Sequence, residues 1–141
     1  MSIQAVLLPL FVQVVLTFVL LVWMASLNRS AVLRREVRLE EVALREPSWP
    51  ARNLQFRNAF HNQLETPVLF YVLTILALMT RHADLLFVIM AWIFVALRIV
   101  HAYIHVTDNY MPRRGVVFLI STIVLALMWL IFVVRILLGV G

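Results

Sequence analysis

The sequence predicts an all-α fold, an integral membrane four-helix bundle, on three observations. The first is composition: of 141 residues, 64% are hydrophobic and 13% are charged, with a mean hydropathy of +0.98. A soluble domain is about 45–50% apolar and about 25% charged. One small core cannot hide this many apolar side chains, so a water-soluble globule is excluded, and the same numbers exclude intrinsic disorder. The second is that the apolar residues gather in runs near ~20 residues, the length of a membrane-crossing helix. The third is that all twelve basic residues are arginines, most of them between the runs. The net charge of +5 therefore reads as arginines collected on one membrane face, and no nucleic-acid partner is expected. The absence of cysteine excludes a disulfide framework, a thiolate zinc site and a cysteine nucleophile.

The first helix spans about 3–27, because Ile3 to Leu27 carries no charge. It lacks the basic n-region and small-residue cleavage site of a signal peptide, and Pro9 should disturb it locally. A long connection covers about 28–55. It mixes Arg34, Arg35, Glu36, Arg38, Glu40, Glu41, Arg45 and Glu46, with Glu41 and Arg45 spaced for an i,i+4 pair. Leu33, Val37 and Leu44 form a weak apolar stripe, and Pro47 and Pro50 around Trp49 end any helix there. This is a solvated, partly helical loop; lipid headgroup binding is the sharper alternative. Asn28-Arg29-Ser30 matches a glycosylation sequon, set aside because it falls on the cytoplasmic side.

The next two apolar runs are short. Thr66 to Thr80 and Leu85 to Leu97 would rise only roughly 20–22 Å, against a hydrocarbon core of ~30 Å. The turn at Arg81-His82-Ala83-Asp84 closes one end of both. Their extensions must come at the other end, which gives helices over about 56–80 and 84–106. A last helix spans about 115–138, beginning at Gly115, with Arg135 snorkelling outward from its final turn. Arg29, Arg34, Arg35, Arg38, Arg45, Arg52, Arg57, Arg113 and Arg114 lie on one side, and Arg81 and Arg135 on the other. This asymmetry places the two arginine-rich connections in the cytoplasm and both termini outside it.

Lengthening the short runs brings polar residues into the membrane. Asn58, Asn62 and Glu65 stand at i, i+4 and i+7 on the second helix; Arg98, His101 and His105 stand at i, i+3 and i+7 on the third. Measured from the shared turn, Glu65 is level with Arg98, Asn62 with His101 and Asn58 with His105. Two antiparallel helices with mirrored spacings would form a polar ladder. Charges inside a membrane are expensive, so Glu65 and Arg98 predict each other as partners, directly or through a neighbouring subunit. Pro67 frees the carbonyl of Gln63 nearby, as a kink, a packing feature or part of a site. Arg113 and Arg114, with Tyr110, follow the third helix at the same end, either as topology signals or as an anion clamp.

The stretch Asn58-Ala59-Phe60-His61-Asn62-Gln63-Leu64-Glu65-Thr66-Pro67-Val68-Leu69-Phe70 holds Asn-x-x-Glu entering a second transmembrane helix, then Pro and Phe. Together with Arg98-x-x-His101-x-x-x-His105 and the basic residues that follow, it resembles the MAPEG family, the membrane-associated proteins in eicosanoid and glutathione metabolism. The likeness is to a divergent, bacterial member, and it covers nearly the whole chain. It implies a homotrimer, in the inner membrane of a bacterial cell, with glutathione between subunits near the cytoplasmic side and a lipophilic substrate from the bilayer. Carried over, the glutathione contacts are Asn62, Glu65, Arg98 and His101, with Asn58 and His105 on the same faces. The thiol-activating arginine corresponds to Arg113 or Arg114. Asn58 and His105 replace the arginine and tyrosine of eukaryotic catalytic members, which removes a carboxylate clamp and a hydroxyl donor.

Three other readings compete with a glutathione-dependent enzyme. One is a non-catalytic membrane module whose ladder is a sealed ion-pair network setting oligomer geometry. Another is haem binding by His61, His101 or His105, opposed by His101 and His105 sharing one helix. The third is a proton-coupled exporter, opposed by Arg98 neutralising Glu65.

Overall fold

A computed structural model describes residues 1–43 and 49–140 of the chain. Six helices follow in order: α1 (Ile3–Leu33), α2 (Leu39–Val42), α3 (Ala51–Asn62), α4 (Thr66–Met79), α5 (Leu85–Val106) and α6 (Met111–Leu138). Among the described residues there is no strand. Four stretches are long and apolar enough to cross a membrane: Ile3–Leu33, Ala51–Met79, Leu85–Val106 and Met111–Leu138. The protein is thus an all-helical, multi-pass membrane protein. The Glu41–Arg45 pair, the Leu44 position of the apolar stripe and the stop at Pro47 lie outside the described residues.

α1, α5 and α6 run past the apolar runs that announced them. The Ser2 hydroxyl starts α1 by accepting the Ala5 N–H at 3.1 Å, and the helix passes through buried Pro9 without interruption. It continues six residues beyond Leu27 to Leu33. Once a helix exists, each added residue gains a hydrogen bond at little extra ordering. Asn53 on α3 also donates to Asn28 Oδ1 at 3.0 Å, which fixes this polar extension to its neighbour. At the far end α6 begins at Met111, four residues before the expected start at Gly115. Pro112 suits the first turn, where its missing N–H would have had no helical partner. Gly139, at φ +64°, ends α6 in the left-handed conformation that glycine adopts without strain.

The second span is two helices. Pro67 has no N–H for the Gln63 carbonyl, and its ring crowds that oxygen. The backbone responds by tightening: Gln63, Leu64 and Glu65 N–H groups bond three residues back, to Phe60, His61 and Asn62, at 2.9, 3.0 and 3.3 Å. Glu65 leaves the helical region altogether (φ −96°, ψ −106°) before α4 restarts. This corrects the single helix expected over about 56–80, and it changes which side chains share a face.

α5 is the most enclosed span and packs against α6, α1 and α3; α4 lies against α1 and α6. Side chains join α4 to α5, as where the Phe70 and Phe94 rings approach to 5.0 Å. The interior has three layers. One apolar cluster joins Val6, Phe70, Leu73, Phe94, Val95 and Leu125 toward the turn between α4 and α5. A second joins Leu20, Phe56, Ala59 and Ala102 toward the arginine-rich end. Between them, by position along α1, the α3–α4 junction and α5, lie Gln13, Gln63 and Arg98, each 0% exposed. Arg135 does not snorkel outward as expected: its Nη1 lies 2.8 Å from Asp84 Oδ2, tying the end of α6 to the start of α5.

Candidate functional site

The polar layer is built around one guanidinium. Arg98 Nη2 donates to the Asn62 backbone carbonyl at 3.2 Å, to the Asn62 side-chain oxygen and to Gln63 Oε1 at 3.4 Å. Gln63 Oε1 also accepts from Gln13 Nε2 at 2.8 Å, while Gln63 Nε2 donates to the Ala59 carbonyl at 3.0 Å. Asn62 Nδ2 reaches Glu65 Oε1 at 3.5 Å. The α3–α4 break makes this possible. It leaves the Asn62 carbonyl only a long three-residue bond, from the Glu65 N–H at 3.3 Å, so this backbone oxygen has room for a second donor. Arg98 supplies one to the Asn62 carbonyl.

Beside this layer, between the α3 end, α5 and the start of α6, is a pocket of about 230 Å³ lined by Asn62, His101, His105, Met111, Arg114, Gly115 and Phe118. His101 and His105 are 3% and 6% exposed, one helical turn apart, with rings edge to face at 5.7 Å. Neither Nδ1 has a hydrogen-bond partner. Phe118 backs the pocket, 5.7 Å from the His101 ring and 5.9 Å from the Arg98 guanidinium carbon. Arg114 contacts Asn109 Oδ1 and the Met111 sulfur at the rim. The polar lining supplies donors and imidazoles and holds no carboxylate.

The structure brings together Asn62, His101, His105 and Arg114. It places Arg98 behind the pocket wall, wholly buried, touching Asn62 and Phe118 rather than lining the cavity. Glu65 is exposed on the single subunit, and among the described residues no ion pair joins it to Arg98; Asn62 stands between them. The expected rung Glu65–Arg98 is therefore displaced to Asn62–Arg98, since i,i+7 spacing holds only on an unbroken helix. Asn58 and His61 are exposed and do not line the pocket. Arg113 turns away from it: its side chain is 60% exposed, 3.4 Å from Asp108, with its guanidinium over the Tyr110 ring.

Two members of the polar layer escaped sequence reasoning. Gln13 is the one strongly polar side chain in the middle of an otherwise apolar run, which is itself a signal in a membrane helix. Gln63 stands out in the sequence only through its carbonyl, because Asn58 and Asn62 carry the spacing pattern. Among the described residues no group of three or more His, Asp or Glu is arranged to hold a metal ion.

The model of the MAPEG family matches residues 6–134, nearly the whole chain. No curated protein and no solved structure matches it.

Proposed function

The chain belongs to the MAPEG family, and from that premise we propose that it is a glutathione-dependent transferase, peroxidase or isomerase acting on lipophilic substrates that arrive from the bilayer. The observation that carries this reading is the pocket where Asn62, His101, His105 and Arg114 converge. Its volume of about 230 Å³ in one subunit is below the ~300–1,000 Å³ of most small-molecule sites. That supports a homotrimer in which a neighbouring subunit completes the cavity. The exposed Glu65 carboxylate, within a membrane-crossing segment, then faces the neighbour rather than lipid and holds the ligand's amino group. The trimer sits in the inner membrane of a bacterial cell, with both termini outside the cytoplasm.

Arg114, rather than Arg113, holds the thiol sulfur. A guanidinium next to a thiol favours the thiolate, which is the nucleophile; the proton leaves to water at the pocket mouth. In conjugation the sulfur then attacks an electrophilic carbon, forming the S–C bond as the leaving group or π-electron pair departs. Asn62 and the imidazoles orient the ligand's polar groups, and Phe118 gives the pocket an apolar wall.

Calorimetric titration of glutathione into the protein in lipid nanodiscs tests the reading. Saturable binding supports it; no binding at millimolar glutathione, to folded trimer, ends it. A second reading, a non-catalytic membrane module, draws on a separate observation: Gln13, Gln63 and Arg98 are 0% exposed and bond to one another with no ligand needed. Under it Glu65→Gln loosens the assembly and glutathione never binds.

A further inference from the structure

We propose that Gln13, Gln63 and Arg98 form a three-helix clasp that locks the Asn62 amide with its NH2 outward, making Asn62 an obligate hydrogen-bond donor and the pocket selective for a ligand group that accepts. The inference goes deeper into the glutathione reading and rests on it for the identity of the ligand alone.

The argument needs only groups whose hydrogen-bonding character is fixed. A guanidinium donates and never accepts. Each atom facing Arg98 Nη2 must therefore be an oxygen: Oδ1 of Asn62 and Oε1 of Gln63. A backbone carbonyl only accepts, so the other end of Gln63, at 3.0 Å from the Ala59 oxygen, must be its NH2. The two constraints on Gln63 agree. Because its oxygen is thereby fixed, the Gln13 atom 2.8 Å away must be Nε2. Every amide in the layer thus has one permitted orientation. Asn62, with its oxygen held by Arg98, has only its NH2 left to present, toward the Glu65 carboxylate and the pocket it lines.

The clasp also restrains the guanidinium itself. Arg98 comes from α5, Asn62 and Gln63 from the α3–α4 junction and Gln13 from α1, so α5 is tied to the junction directly and to α1 through Gln63. An arginine side chain otherwise has many rotamers, and ordering it opposes binding. Gln13 does not line the pocket. It is a positioning residue, acting through Gln63 and Arg98 on Asn62. An asparagine locked as a donor beside Arg114 favours a carboxylate, carbonyl or thiolate and disfavours a group that can only donate.

The test uses Gln13→Leu and Gln63→Leu, two substitutions of similar volume, in nanodiscs. The readout is the asparagine side-chain NH2 resonances, with the Asn62 pair identified by its loss in Asn62→Asp. The clasp requires the Asn62 pair to shift and to exchange with water faster in both variants. Where the wild type binds glutathione, it also requires that affinity to fall by about three- to tenfold in each, as loss of one hydrogen bond implies. The double variant should fall no further than the worse single one, because both act along one path. An Asn62 pair unchanged in both variants, with the fold intact, overturns the clasp whatever glutathione does. If the wild type binds no glutathione while the Asn62 pair still responds to Gln13→Leu, the enzyme reading fails and the clasp stands.

Discussion

Arg98 is a charged group held at 0% exposure in a membrane-crossing helix, and the structure accounts for it with acceptors rather than with a counter-ion. Three oxygens share one nitrogen, while Nε and Nη1 have no protein partner. The planar fork matters here: lysine offers a point charge on a flexible stem and cannot reproduce the geometry. Arg98→Lys should lower stability by about 1–3 kcal/mol through unsatisfied oxygens, seen as an earlier thermal unfolding transition in detergent; an unchanged transition would show that the bonds to Asn62 and Gln63 contribute nothing. The two loop arginines give a sharper contrast. Arg114 lines the pocket, whereas Arg113 spends its charge on Asp108. Arg114→Ala should weaken glutathione binding about tenfold or more, the loss of one charge-assisted hydrogen bond, and diminish the thiolate absorbance of bound glutathione. Arg113→Ala should leave both measurements within about twofold, consistent with a screened surface pair. Sequence placed these two arginines at the site's end but could not choose between them. Their side chains diverge because adjacent residues on a helix point about 100° apart, and the starting phase of α6 is set by where Tyr110 caps it.

At the scale of elements, the α3–α4 break decides the geometry of the site. Pro67 was legible in the sequence as a feature near Gln63, yet apolar periodicity carries no information on whether a proline kinks a helix or divides it. Here the divided helix goes with Arg98, which donates to the Asn62 carbonyl at the end of α3. Pro67→Ala restores a donor for the Gln63 oxygen, so α3 and α4 should fuse. The expected result is strong hydrogen-exchange protection of the new amide at 67 together with loss of glutathione binding, since Asn62 and Glu65 would return to the phase of a continuous helix. Protection without any change in binding would separate the break from the site. The opposite end of the bundle is held by Asp84, which accepts the Phe87 N–H at 3.0 Å and the Arg135 guanidinium at 2.8 Å. Partial burial works against its charge, but the Phe87 N–H and Arg135 outweigh burial and hold the carboxyl below its ordinary range. A folded-state value below the unfolded one, ~3.9, means stabilisation that is complete above that pH and lost as pH falls through the folded value. Asp84→Ala should therefore cost about 0.5–2 kcal/mol near neutrality, as for a lost helix cap, and the gap between mutant and wild-type melting temperatures should close on acidification.

For the whole molecule, the number of spans and the all-helical class were readable because a membrane-crossing helix must satisfy its own backbone and show a long apolar stretch. Helix ends were less readable. α1 and α6 extend through Asn28–Leu33 and Met111–Arg114, stretches interrupted by polar residues, and at Asn28 a neighbour, Asn53, holds the extension in place. Of the buried polar layer, the residues with a visible spacing were found and Gln13 was missed, because its partner lies 50 positions away in sequence. Orientation depends on a property of the entire chain, the unequal sharing of arginine between the two ends of the bundle. The ends of α1 and α5 and the starts of α3 and α6 bring Arg29, Arg34, Arg35, Arg38, Arg52, Arg57, Arg113 and Arg114 to one side. The positive-inside bias predicts that this side is cytoplasmic. The chain holds no cysteine, so single cysteines report without background. In intact cells, a membrane-impermeant maleimide should label Ser2→Cys, at the exposed start of α1, and should spare Glu36→Cys, at the exposed turn after it, until the cells are opened. Labelling in the reverse order would invert the topology and carry the Arg114 pocket to the outer face, away from the reducing compartment where a thiol cosubstrate such as glutathione is kept in its reactive form.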